Sequence, residues 1–133
     1  SLSGIEIPRY GGACPRWNIY SAFTTPGKIH AAVSKMSNGE KYVCIAKTVE
    51  KGVGRYGQTK SMLSIGLGCA AKYAKDFVYT ENLNINDKKT EIPIGVSCRT
   101  CDRLDCSQRA FPPLHKKFDV DINNRGVSVY VNE

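Results

Sequence analysis

The chain has 133 residues, of which 41% are hydrophobic and 23% charged, and its formal net charge is +7. This length fits one domain over residues 1–133, and the composition sits near globular averages, which excludes a disordered or fibrous chain. No apolar run approaches the roughly 20 residues of a membrane-spanning helix, and no charged-then-apolar leader opens the sequence, so the expectation is a soluble, cytoplasmic protein without a membrane partner. The start at Ser1 rather than methionine adds the expectation of a fragment from a longer protein.

Residues 1–12 end in Tyr10-Gly11-Gly12 and read as a lead-in. Trp17 to Phe23 is dense enough in apolar positions for a short strand or helical turn, which Pro26-Gly27 stops. Lys28 to Met36 and Glu40 to Val49 are strand-like runs separated by Ser37-Asn38-Gly39, and the Asn-Gly pair permits the positive backbone angles of a tight turn, predicting a β-hairpin. Cys44 alternates within the second arm as an ordinary buried strand residue. Gly52 to Gly57 is a glycine-rich basic loop. Ser61 to Gly66 resumes as a third strand ending in Gly66-Leu67-Gly68-Cys69. Ala70, Tyr73, Ala74, Phe77 and Val78 then keep the three-and-four spacing of a helix face, which predicts a helix over 70–79. Glu81 to Glu91 is a polar loop, Ile92 to Val96 leads into a cysteine-rich segment spanning 92–114, and Pro112-Pro113 closes it. Val127 to Val131 alternates and suits an edge strand. The predicted class is α+β, an antiparallel sheet with few helices, of which GAF- and PAS-like domains are examples.

Basic residues are unevenly placed: Lys41, Lys47, Lys51, Arg55, Lys60, Lys72 and Lys75 face only Glu50 between positions 41 and 75. Such a region attracts nucleic acid, an anionic membrane surface or a phosphorylated small molecule, or it is a solvated face.

The six cysteines are Cys14, Cys44, Cys69, Cys98, Cys101 and Cys106. Three disulfides suit a secreted protein, but no export signal is present and three of the thiols crowd into positions 98–106, a spacing better suited to metal ligation. Cys98-Arg99-Thr100-Cys101 followed by Cys106 is C-x2-C-x4-C, which turns two sulfurs toward one centre and lets a third join them. Cys69 is the first choice for the fourth ligand, because it follows a glycine-rich turn at an expected helix start where the dipole favours a thiolate. Cys14 is the reserve. Structural zinc sites usually use two C-x2-C pairs, whereas three clustered cysteines with a remote fourth resemble iron–sulfur spacing in reverse order, so a [4Fe–4S] cluster is preferred and zinc is the alternative. Arg99, Arg103 and Arg109 are placed to donate hydrogen bonds to such a centre or to pair with Asp102 and Asp105. His30 and His115, the only histidines, have no partner at ligand spacing.

The string from Gly95 to Pro113, GVSCRTCDRLDCSQRAFPP, resembles the C-terminal signature of the short-chain fatty acyl-CoA regulator family. Gly11-Gly12-Ala13-Cys14-Pro15-Arg16-Trp17-Asn18 and Gly66-Leu67-Gly68-Cys69 are similar to two further blocks of that family in the same order, so the likeness runs from about residue 8 to residue 114. It implies a sensor portion of a bacterial transcription factor, with acyl-CoA as effector and DNA bound only through an N-terminal helix-turn-helix that these residues do not contain. A homodimer is a further partner considered. By chemistry alone, Arg16, Trp17, Tyr20, Arg55, Tyr56 and Lys60 offer cations and aromatic faces for a phosphorylated adenine ligand, with core packing an equal role for Trp17. The competing classes are a zinc-stapled nucleic-acid-binding module, favoured by the +7 charge, and a metal or thiol enzyme. A thiolate-rich site with no histidine–acid pair argues against catalysis, and no catalytic residue is assigned.

Overall fold

The structure is a computed structural model, and it describes residue 8, residues 12–52 and residues 55–115. The alternating segment 127–131 lies outside these. Asn18–Ser21 forms a single α-helical turn, α1, continued by a 3-10 turn over Ala22–Thr24. Four strands follow: β1 (His30–Lys35), β2 (Lys41–Lys51), β3 (Ser61–Ala70) and β4 (Glu91–Pro93). They lie in the order β3-β2-β1-β4.

The predicted hairpin is present, with His30 opposite Ala46 and Lys35 opposite Lys41. Met36 and Glu40 close it around three residues, and Gly39 takes the positive φ of 89° that a side chain would strain. β2 outruns β1, so its last five residues pair only with the start of β3, forming a two-stranded arm.

The expectation of an all-antiparallel sheet is corrected at β4, which runs parallel to β1 with Val33 opposite Glu91 and Lys35 opposite Pro93. The fold is therefore α+β with a mixed sheet. The Glu91 carboxylate, whose side chain is 6% exposed, holds this pairing by bridging to Lys41 and, at 3.5 Å, to Lys35 on the two hairpin strands. Those ammonium groups, chiefly the Lys41 hydrogen bond, keep the Glu91 carboxyl below its ordinary pKa.

Two further expectations change. Gly66 to Cys69 does not end the third strand; it continues in register to Ala70 opposite Tyr42. The glycines there admit neighbours: a Cβ on Gly66 would stand 2.5 Å from Ile19 Cγ2, so its absence lets α1 settle on the strand. The predicted helix over 70–79 is instead two 3-10 segments, Ala71–Asp76 and Val78–Thr80. The Phe77 and Thr80 N–H groups bond the Ala74 and Phe77 carbonyls three residues back, and the single Thr80 hydroxyl hydrogen is shared between the same two carbonyls.

The core is small. Val33, Val43 and Ala74 are its buried centre, with Cys69, Leu83 and Ile85 packed around them. On the opposite sheet face Tyr42, Cys44, Ala46 and Thr48 are buried. There the Asn18 amide of α1 donates to the carbonyls of Cys44 (2.9 Å) and His30 (3.3 Å), fixing the helical turn to the hairpin. Among the described residues no helix is long and apolar enough to cross a membrane.

Candidate metal centre

β4 delivers the chain directly to the cysteine segment. Ile94 follows it, is fully buried, and donates its N–H to the Lys35 carbonyl at 2.9 Å, which fixes where the next residues begin. Gly95 and Val96 then meet the lead-in to α1. The Cys14 N–H donates to Val96 O (3.1 Å) and the Trp17 indole Nε1–H to Gly95 O (3.1 Å), so a stretch 80 residues away is stitched to the front of the cysteine segment. A Cβ on Gly95 would lie 3.3 Å from Cys101 Sγ, which makes glycine the residue that lets the sulfur approach.

Cys98 opens a short 3-10 turn, Cys98–Thr100, capped by the Ser97 hydroxyl accepting from the Arg99 N–H at 3.4 Å. The segment beyond it has no regular structure, and a single side chain gathers its backbone. Arg109 is 5% exposed, and its guanidinium donates to the carbonyls of Cys98 (2.7 Å), Cys101 (3.1 Å), Phe111 (3.3 Å) and Arg103. Arg99 instead stacks on the Phe111 ring, 4.6 Å from its centroid, and Leu114 donates to the Arg99 carbonyl, closing the segment at its end. Asp102 faces His115 at 3.6 Å.

These contacts place Cys14, Cys98, Cys101 and Cys106 along one open cleft, together with Arg16, Arg103, Arg109, Pro93, Ile94 and Gly95. All six cysteines are free thiols. Among the described residues, no group of three or more Cys, His, Asp and Glu side chains is gathered tightly enough to hold one metal ion. Burial raises the Cys14 thiol, and the charges of Cys98 and Cys101 raise it further, against the pull of hydrogen bonds from the Gly95 and Arg16 backbone. The Ala110 N–H points at Cys98 Sγ at 3.4 Å, a donor suited to a thiolate.

Cys69, expected as the fourth ligand, does not line this cleft. It sits within β3 against Val33, Val43 and Ala74, where burial, and then the Asp76 charge, raise its thiol pKa. Its expected setting, a turn before a helix, does not exist because the strand runs through it. Cys14, the reserve, occupies the cleft wall in its place. Cys44 is buried in β2 as expected, with its pKa pushed up to about 11 by burial.

The six residues offered for a phosphorylated ligand fall in separate places. Arg16 lines the cysteine cleft and Trp17 is hydrogen-bonded beside it. Tyr20 is exposed on α1, and Arg55, Tyr56 and Lys60 are exposed in the connection between β2 and β3, where Lys60 stands 3.9 Å from Glu50. Sequence reasoning missed Arg109 as a backbone clamp. Its signal is an arginine three residues before Pro112, in a segment with no helix or strand to satisfy its carbonyls.

A family model described as short-chain fatty acyl coenzyme A regulator, C-terminal, matches residues 1–130. The HTH-type transcriptional regulator RamB of Mycobacterium tuberculosis is 42% identical over 133 residues, covering 98% of this chain and 28% of the relative. The propionyl-CoA carboxylase regulator of Cereibacter sphaeroides is 39% identical over 130 residues, with the same 98% and 28% coverage. The solved structure of a Mycobacterium tuberculosis transcriptional regulator matches with a TM-score of 0.79 and 37% identity, over 90% of this chain and 36% of that one. The chain thus spans less than a third of the length of these curated relatives.

Proposed function

Since the chain belongs to the short-chain fatty acyl coenzyme A regulator family, as its C-terminal part, we propose that it is the effector-sensing portion of a transcriptional regulator, which binds short-chain acyl-CoA and holds an iron–sulfur cluster on Cys14, Cys98, Cys101 and Cys106. The observation carrying the cluster is that four thiols from two distant stretches line one cleft with Arg103 and Arg109. A thiolate-held cluster is anionic, and the residues present suit it: four sulfur donors, an N–H aimed at Cys98 Sγ, and the buried Arg103 Nε, which has no hydrogen-bond partner among the described residues. Three closely spaced cysteines joined by one remote cysteine support an iron–sulfur spacing over zinc, whose structural sites usually use two C-x2-C pairs. When bound, such a cluster supplies one-electron redox chemistry and sensitivity to oxidants.

The acyl-CoA part rests on the family and on the exposed cations and ring of Arg55, Tyr56 and Lys60. DNA contact belongs to the part of the regulator beyond this chain, in keeping with the helix-turn-helix naming of its relatives. An effector acts only if it binds one conformation of the regulator better than another.

The chain purified without oxygen is expected to be brown and to contain iron and acid-labile sulfide. A colourless protein with one zinc per chain rejects the cluster. Calorimetry with propionyl-CoA is expected to show binding that weakens in an Arg55→Ala, Lys60→Ala double variant, and absence of binding for both propionyl-CoA and free coenzyme A removes the effector reading.

A further inference from the structure

Arg103 is the one cleft residue whose side chain is anchored at one atom and unsatisfied at another. Its Nη2 donates to the carbonyls of Lys35 (3.2 Å) and Ile94 (3.4 Å), one hydrogen to each, and those two residues are the seam where β1 ends and the chain leaves β4. Its Nε is buried and, among the described residues, has no hydrogen-bond partner. A buried N–H on a cation is ordinarily paired, so one left open in a residue that lines a cleft of four sulfurs is suited to an acceptor bound there. The backbone of Arg103 is itself held, because its carbonyl accepts from the Arg109 guanidinium. Neither neighbour duplicates the arrangement: Arg109 is directed to backbone carbonyls, and Arg99 is stacked on Phe111 away from the cleft wall.

Resting on the cluster reading above, we propose that Arg103 is a positioning residue whose Nε–H donates to the bound anionic group while its Nη2 grips the β1–β4 seam, so that the occupied site is tied to the sheet. The acceptor is a sulfur, either inorganic sulfide or a ligating thiolate. Loss of the group leaves the Nε–H without its acceptor and loosens one end of this tie, which gives cluster state a route into the sheet.

The test uses the 133-residue chain prepared without oxygen, with iron and sulfide assayed before each measurement. Iron release to a ferrous chelator and the reduction potential are compared for wild type, Arg103→Met and Arg103→Lys. The Met variant is expected to assemble the cluster, to release iron about tenfold faster or more, as removal of an outer-sphere partner does, and to have a lower potential, because a cation facing an anionic group favours its reduced form. The Lys variant keeps the charge but not the fork of donors, so its potential shifts less while its iron release remains faster than wild type. Wild-type release rates and potentials in both variants overturn the assignment while leaving the cluster reading intact. Should the Met variant fail to fold, a Lys variant with wild-type iron release overturns it alone. Wild-type protein lacking iron and sulfide overturns the cluster reading and this inference with it.

Discussion

The cysteine segment and the β2–β3 arm, at opposite edges of the same sheet, satisfy their backbones by different means. The arm and the rest of the β2–β3 pair are regular strand, paired residue for residue from Lys51 opposite Ser61 to Tyr42 opposite Ala70, and leave Leu63, Ile65 and Leu67 between 45% and 59% exposed. The cysteine segment has one 3-10 turn and almost no regular pairing, yet Cys98, Ile94 and Arg109 are buried there. Where strands cannot supply partners, one buried guanidinium and a few side-chain caps do. Side chains therefore fix the cysteine segment and backbone pairing fixes the arm, so substitutions should act very unequally at the two edges.

The largest effect is expected at Arg109. Arg109→Met leaves four carbonyls without their donor and should cost roughly 3 kcal/mol or more, given about 1–3 kcal/mol for each buried group left unpaired. Arg109→Lys should not restore stability, because a point ammonium cannot span four acceptors. Denaturant unfolding of the two variants checks this. Equal stability of Lys and Arg would show that charge alone matters.

Gly66→Val comes next. The new side chain meets Ile19, where even a Cβ would lie at 2.5 Å, and overpacking of this kind costs about 1–3 kcal/mol. The double variant Gly66→Val, Ile19→Ala should recover part of the loss, and failure to recover would show that α1 is not what the glycine accommodates.

A smaller, pH-dependent effect belongs to Glu91. Its folded pKa is depressed by Lys41 and Lys35, so its stabilisation is fully present above the ordinary glutamate value of about 4.3 and is lost as pH falls through the lower folded value. The thermal midpoint of Glu91→Gln should lie below wild type at neutral pH, with the gap closing in acid. A gap independent of pH would remove the ion pairs as its cause.

The hairpin was legible because Asn38-Gly39 between two alternating runs is a local signal, and Cys44 was legible as a strand residue, in a stretch that the structure buries on both faces from Tyr42 to Cys44. β4 was not: three residues carry too little pattern, and a carboxylate meeting lysines 50 and 56 positions earlier, Lys41 and Lys35, holds its parallel pairing. The 70–79 segment reads as one helix because a period of three to four fits 3-10 turns as well as an α-helix, whereas Phe77 takes extended backbone angles and breaks it in two. In the candidate site the C-x2-C-x4-C trio was visible from spacing alone. Whether Cys69 could reach the other cysteines depended on whether Gly66-Leu67-Gly68 was turn or strand, and pairing with β2 makes it strand, which leaves Cys14 and not Cys69 along the cleft.

The smallest effect is expected on the arm. Ile65→Ser, at a position 58% exposed, should change the stability of the isolated chain by less than about 0.5 kcal/mol. A larger loss in unfolding free energy would mean that this face is covered in solution, and the contrast between the two edges would narrow.

The most direct test compares iron and acid-labile sulfide per chain in Cys14→Ser and Cys69→Ser proteins prepared without oxygen. Loss of both elements from the Cys14 variant and their full retention in the Cys69 variant is the predicted result. Retention in Cys14→Ser together with loss in Cys69→Ser would contradict the account, because the cleft joining residue 14 to the 98–106 loop would then not be where the inorganic group resides.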